Sequence, residues 1–92
     1  MSRLRSFWLA GHADAEVPLR AWFRVADQAN WEKFADVRRD FPRADAVGDR
    51  IVFDVGGNRY RLVVRIDYVR KGVLIRWVGT HAEYDRVDIA SL

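Results

Sequence analysis

The chain has 92 residues, half of them hydrophobic and 4 of them Trp, which is enough for one small core and leaves no room for a second, so residues 1–92 are expected to form a single domain. With no Cys, disulfides and thiolate metal sites are excluded; two His (His12 and His81) do not make a zinc site by themselves, and no metal or cofactor is expected. A charged fraction of 32%, no apolar run near the roughly 20 residues of a membrane span, and an N-terminus ("MSRLRSFWLAG") too short and interrupted for a signal peptide point to a cytoplasmic protein with no membrane partner.

The first half of the chain has helical periodicity. In "RLRSFWLAG", Leu4, Phe7 and Trp8 fall on one helical face and Gly11 supplies a stop. "DAEVPLRAWFRVADQAN" predicts a second helix with Asp14 as its cap. Pro18 falls near the first turn, where its missing N–H matters least. Leu19, Trp22, Phe23 and Ala26 then keep the spacing of one apolar stripe. "NWEKFADVRRDF" predicts a third helix, capped by Asn30, with Phe34, Val37 and Phe41 on one side and Pro42 as terminator. These aromatics could stack on bases, but their helical spacing assigns them to a core.

The second half reads as sheet. "DRIVFDV" is a strand and "GGN" is a tight hairpin turn that requires positive φ. "RYRLVVRIDY" alternates, with Tyr60, Leu62, Val64, Ile66 and Tyr68 on one face. Arg59, Arg61, Arg65 and Asp67 lie on the other, with Val63. "VRKG" turns the chain again, and "VLIRWVG", apolar on both faces except at Arg76, has the pattern of a central strand. The fold class is α+β: N-terminal helices packed on one face of a small, mainly antiparallel sheet, an arginine-bearing opposite face, and a short C-terminal helix or turn.

The net charge of +3 is unevenly spread. Residues 59–76 hold Arg59, Arg61, Arg65, Arg70, Lys71 and Arg76 against a single acid, Asp67. Of 16 basic side chains only Lys33 and Lys71 are lysine. Guanidinium forks match phosphate geometry; the codons of a high-GC genome would explain the excess of Arg but not its clustering. Like charges along a sheet face repel, so an arginine row without matching acids predicts an anion, most naturally a phosphate backbone. Arg59 and Arg65 are candidates for binding RNA phosphates. Arg76 is a weaker one, since it is also placed to pair with Asp67 or Asp54.

"VGTHAEYDRVD" leaves the last strand at its C-terminal end and sets His81 and Tyr84 near the rim of the arginine face. Thr80 and Glu83 have the spacing of a capping box, which by itself accounts for "THAE" and would also hold His81 rigidly. Asp85 and Asp88 serve the helix and solubility. Histidine exchanges protons near neutral pH, tyrosine can donate or accept a proton, and arginines stabilise charge on a phosphoryl transition state. Together these groups could run metal-independent RNA cleavage, in which the ribose 2′-OH attacks the adjacent phosphorus. A base takes its proton and an acid protonates the leaving 5′-oxygen.

"IVFDVGGNRYRLVVRIDY" followed by "IRWVGTHAEYDRVD" resembles the HigB family of bacterial toxins, within the RelE-like superfamily of mRNA interferases. The likeness is dense from Arg50 to Asp88 and looser over "FW…DAEVPLRAWFRVADQANW". It implies a RelE-like fold and the toxin of a type II toxin–antitoxin system. Such a toxin is a ribosome-dependent endoribonuclease that cleaves mRNA and inhibits translation, and its partner is a cognate HigA-like helix-turn-helix antitoxin. The resemblance further implies that Arg61, in "YRLV", takes the place of a strand arginine acting on the scissile phosphate. His81 falls near a second catalytic basic side chain and Tyr84 near a C-terminal tyrosine. Family members usually carry several more residues ahead of the first helix, forming a short strand. This chain starts almost at the helix: either that strand is lost, which would expose a sheet edge, or the start codon is assigned too far downstream. Two other functions fit parts of the pattern. A non-catalytic RNA- or ribosome-binding module needs the arginines but neither His81 nor Tyr84, and an antitoxin-binding partner protein needs no nuclease residues.

Overall fold

The structure, a computed structural model, describes residues 2–92. Helix α1 (Ser2–Leu9) leads through a 3-10 turn (Ala13–Ala15) into α2 (Glu16–Gln28) and α3 (Phe34–Asp40). Strands β1 (Asp45–Val47), β2 (Arg50–Val55), β3 (Tyr60–Asp67) and β4 (Gly72–Thr80) follow, then α4 (His81–Tyr84) and a last 3-10 turn (Ile89–Ser91). The strands form one antiparallel meander in the order β1-β2-β3-β4. This is the expected α+β architecture, with the N-terminal helices on one face of the sheet and a short helix near the C-terminus.

Residues directly opposite each other across antiparallel strands share a face, and successive residues alternate. The rows Val55/Tyr60/Thr80, Phe53/Leu62/Val78 and Ala46/Ile51/Val64/Ile75 therefore point to the helices. Leu4 and Trp8 of α1, Leu19 and Trp22 of α2, Trp31 and Val37 are buried against them. Edge-to-face ring contacts, Trp22–Phe53 at 5.3 Å and Phe41–Phe53 at 5.0 Å, knit this core. The helical aromatics are thus core, as their spacing predicted.

The other face carries the rows Asp54/Arg61/Gly79, Asp45/Val52/Val63/Trp77 and Val47/Arg50/Arg65/Leu74. Its middle is apolar rather than basic. Val52, Val63 and Ile89 form a second buried cluster, joined by Val47, Trp77, Tyr84, Val87 and Leu92. The C-terminal segment folds back across this face and covers much of what β3 alone presents as an arginine surface.

Several elements differ from their sequence patterns. Asp14 does not cap α2; it lies inside the 3-10 turn, and the α2 N-cap is Ala15 with no side-chain bond. Asn30 does not cap α3, which starts only at Phe34 with Lys33 as N-cap. The intervening residues are tied to α3 by its own acids: the Glu32 amide donates to Asp36 at 3.0 Å, and Trp31 Nε1 donates to Asp40 at 2.9 Å. The sequence pattern does not predict strand β1, because Asp45–Val47 is too short to show a period. Its one signal is the two-residue hairpin loop Gly48–Asp49, with Gly48 at φ +63°.

Strand β4 is an edge strand, not a central one. It is apolar on both sides because Val73, Ile75 and Val78 pack against the helix-side core while Trp77 packs in the second cluster; Leu74 is 55% exposed. A bulge sets Val63 opposite Trp77 but Val64 opposite Ile75, leaving Arg76 as the extra, exposed residue. The hairpin between β2 and β3 is as expected, with Gly56, Gly57 and Asn58 all at positive φ (+68°, +62° and +79°).

Candidate active site around Arg61

Alternation along β3 sends Arg61 to the second face, in one row with Asp54 and Gly79. The residue is only 9% exposed. A guanidinium so buried requires a partner, and Asp54 provides it, its Oδ1 lying 3.1 Å from Arg61 Nε. Arg61 Nη1 donates to the carbonyls of Asn58 and Tyr60, both at 3.3 Å. Its Cζ lies 5.7 Å from the centroid of the Tyr84 ring, in cation–π range. Nη2 has no hydrogen-bond partner among the described residues.

Gly79 faces Arg61 across the ladder, and its lack of a side chain makes room for a ring. A Cβ there would sit 2.5 Å from two atoms of the Trp77 indole and 3.0 Å from Glu83 Oε1. Trp77 in turn packs on Tyr84, with centroids 6.3 Å apart.

Helix α4 begins immediately after β4, and the expected capping box is present. Thr80 Oγ1 accepts from the Glu83 amide at 3.1 Å, and Glu83 Oε1 accepts from the Thr80 amide at 2.8 Å. The hydrogen bond from the Thr80 amide holds the Glu83 carboxyl below its ordinary pKa. The His81 amide donates to the Arg59 carbonyl at 2.9 Å, tying the helix start to the β2–β3 turn. The His81 imidazole is half exposed, its Nε2 3.9 Å from Asp85 Oδ2. Tyr84, three residues on, shares its side of the helix. Burial, reinforced by the negative charge of Asp45, pushes the Tyr84 phenol above its ordinary pKa, against the opposing pull of Arg61.

The site therefore brings Arg61 and Tyr84 together, with His81 one helical turn before Tyr84 and its imidazole nearest in charge to Asp85. The other expected arginines are dispersed. Arg59 precedes β3 and turns to the helical side, where Nη1 pairs with Asp14 Oδ2 at 2.7 Å. Arg65 lies 3.6 Å from Asp49, and Asp49 also pairs with Arg50, the residue opposite Arg65 on β2. Arg76 pairs with neither Asp67 nor Asp54; Asp54 is taken by Arg61, and Asp67 by Arg70 (3.9 Å) and by the turn amides of Val69 and Arg70.

The expected arginine row without matching acids is thus corrected: Asp14, Asp54 and Asp49 meet Arg59, Arg61 and Arg65. These acids come from a loop, a neighbouring strand and a turn, so the sequence of β3 does not display them. Asp54 was nonetheless within reach of sequence reasoning. Counting outward from the "GGN" hairpin pairs Val55 with Tyr60 and Asp54 with Arg61. Among the described residues, no three His, Asp or Glu side chains converge as metal ligands, and no helix is long and apolar enough to cross a membrane.

A helix-backed antiparallel sheet whose far face buries one arginine beneath a C-terminal tyrosine fits a RelE-like toxin, and residues 15–87 match the family model described as HigB toxin, RelE-like toxic component of a toxin–antitoxin system. A curated relative, the mRNA interferase HigB of Escherichia coli O6:H1, is 32% identical over 72 residues, covering 75% of this chain and 70% of the relative. The chain belongs to the HigB family of toxins.

Proposed function

We propose that this HigB-family toxin is an endoribonuclease that cleaves mRNA on the ribosome without a metal ion, using Arg61, Tyr84 and His81, and that a HigA-like helix-turn-helix antitoxin restrains it. The observation that carries the reading is the fixed Arg61 guanidinium, held by Asp54 and two turn carbonyls beneath the Tyr84 ring. The similarity to a relative named as an mRNA interferase supports the same reading.

A cation already locked in place stabilises developing charge with no reorganisation at the moment of reaction. Arg61 Nη2 donates no hydrogen bond among the described residues, so it can meet a phosphate oxygen while Nε and Nη1 keep their partners. The ribose 2′-oxygen attacks phosphorus and the bond from phosphorus to the 5′-oxygen breaks, leaving a 2′,3′-cyclic phosphate and a 5′-hydroxyl. The Tyr84 phenol, set over the Arg61 guanidinium, is the proton donor to the leaving oxygen. His81, exposed at the capped start of α4, takes the 2′-OH proton. Arg65 and Arg76, both exposed, contact flanking phosphates, with Arg59 further round the rim.

One observation favours the alternative of a non-catalytic RNA- or ribosome-binding module: the His81 imidazole is half exposed and lies beside Asp85, 3.9 Å away, rather than against Arg61. Mapping mRNA 5′ ends in cells after brief induction separates the two. New ends with the wild type and none with Arg61→Ala support cleavage. Growth arrest without new ends supports binding alone. Purified protein on free mRNA and on programmed ribosomes then tests ribosome dependence.

A further inference from the structure

The β2–β3 turn supplies the carbonyls that hold both halves of the site. Asn58 and Tyr60 accept from Arg61 Nη1, and Arg59, between them, accepts from the His81 amide. Three residues of this turn stand at positive φ, and two of them are Gly, so the turn forms locally. Its placement against the site is set by a second tie from outside the hairpin.

The hold comes from the 3-10 turn between α1 and α2, 45 residues away along the chain. One oxygen of Asp14 accepts from Arg59 Nη1 at 2.7 Å and the other accepts from the Tyr60 hydroxyl. The Tyr60 ring is packed edge-on against Phe7 (5.4 Å) and His12 (5.9 Å), and those two rings stack on each other at 4.2 Å. A side chain at Gly56 would crowd Tyr60 Cδ2, its Cβ lying only 3.2 Å away. The carboxylate thus clamps two consecutive residues whose own carbonyls orient Arg61 and the first amide of α4.

We propose that Asp14 is a positioning residue for RNA cleavage, setting the placement of Arg61 and His81 through the β2–β3 turn without touching RNA. The inference rests on the catalytic reading above. It assigns a role to a side chain that the sequence pattern spends on a helix cap, and it links the helical half of the molecule to the chemistry on the far face of the sheet.

The test compares Asp14→Asn, Arg61→Lys and the double variant in mRNA cleavage on programmed ribosomes, with thermal melts as folding control. Asp14→Asn is expected to lower kcat about tenfold while KM changes less than about twofold, because geometry and not binding is disturbed. The double variant is expected to be slower than Arg61→Lys alone by clearly less than the loss in Asp14→Asn, since Asp14 acts in part through Arg61. A normal kcat in folded Asp14→Asn, or losses that simply multiply in the double variant, would overturn the assignment. Should Asp14→Asn not fold, Tyr60→Phe, which deletes one clamp hydrogen bond, replaces it under the same criteria.

Amide exchange by NMR separates this inference from the catalytic reading. In Asp14→Asn the His81 amide is expected to lose about tenfold protection and the Arg61 Nε–H resonance to shift. If both are unchanged the clamp is wrong whether or not the protein cleaves RNA. If both change but the wild type cleaves no mRNA, the catalytic reading fails and the positioning of Arg61 and His81 by Asp14 stands as a structural fact only.

Discussion

At the scale of single residues, the site depends on how a buried charge is satisfied. Asp54 balances Arg61 and orients it, and the turn carbonyls fix the remaining direction of the fork. Arg61→Ala is expected to reduce mRNA cleavage by about 10²-fold, the usual loss for one preorganised group at a phosphoryl or acyl transition state. Normal cleavage by the folded variant would remove Arg61 from the mechanism. Asp54→Ala should fail differently, lowering both the melting temperature and the rate, because it leaves a guanidinium buried without a counter-charge. His81→Gln and Tyr84→Phe are each expected to lower kcat on programmed ribosomes while the melting temperature holds. If folded His81→Gln cleaves at the wild-type rate, "THAE" is a helix cap and nothing more. For flanking phosphates, Arg76, which has no acid partner among the described residues, is expected to contribute more to the salt slope of RNA or ribosome association than Arg59, which is held by Asp14.

At the scale of elements, local signals that need only near neighbours were legible. The alternation of β3, the positive-φ "GGN" turn and the Thr80–Glu83 box all rest on contacts within a few residues, and all three are present. Signals that need a distant partner misled. Asp14 has the sequence position of a cap, yet its carboxylate is engaged by Arg59 and Tyr60. Removing the α4 cap with Thr80→Ala should cost about 1 kcal/mol of stability, read as a lower melting temperature, and should lower cleavage because His81 and Tyr84 share that single turn. Acid sensitivity follows from three carboxyls. Asp14 is held below its ordinary value by the Tyr60 and Arg59 bonds, Asp36 by the Glu32 amide, and Glu83 by the Thr80 amide. A depressed folded pKa contributes stability above the unfolded value, here 3.8 for Asp14 and Asp36 and 4.5 for Glu83, which is lost as pH falls through the folded value. Tyr60 has the opposite sign. Its pKa is raised by its bond to Asp14, so its contribution is intact below pH 10 and is lost above it. Melting curves of wild type and Asp14→Asn should therefore converge at both pH extremes; a constant offset would show that the clamp does not titrate.

At the scale of the whole molecule, two apolar clusters lie on opposite faces of one sheet, and the smaller one is closed by the C-terminal segment. Ile89, 8% exposed, packs there on Val52 and Val63. Ile89→Ala is expected to cost about 2 kcal/mol and to loosen Tyr84, so cleavage should fall along with the melting temperature. A loss of stability with full activity would separate the tail from the site. The sequence by itself determined the helices and every strand but β1, the helix-facing core, the strand that bears Arg61 and the capped turn that bears His81 and Tyr84, because periodicity and capping are local properties of the chain. Only the tertiary structure decided that β4 lies at an edge, that the C-terminal segment covers the second face, and which acid meets which arginine. Those outcomes depend on residues brought together from distant parts of the chain, and the long-range pairing that selects Asp14 for Arg59, Asp49 for Arg65 and Asp54 for Arg61 exists only once the sheet and its loops are assembled.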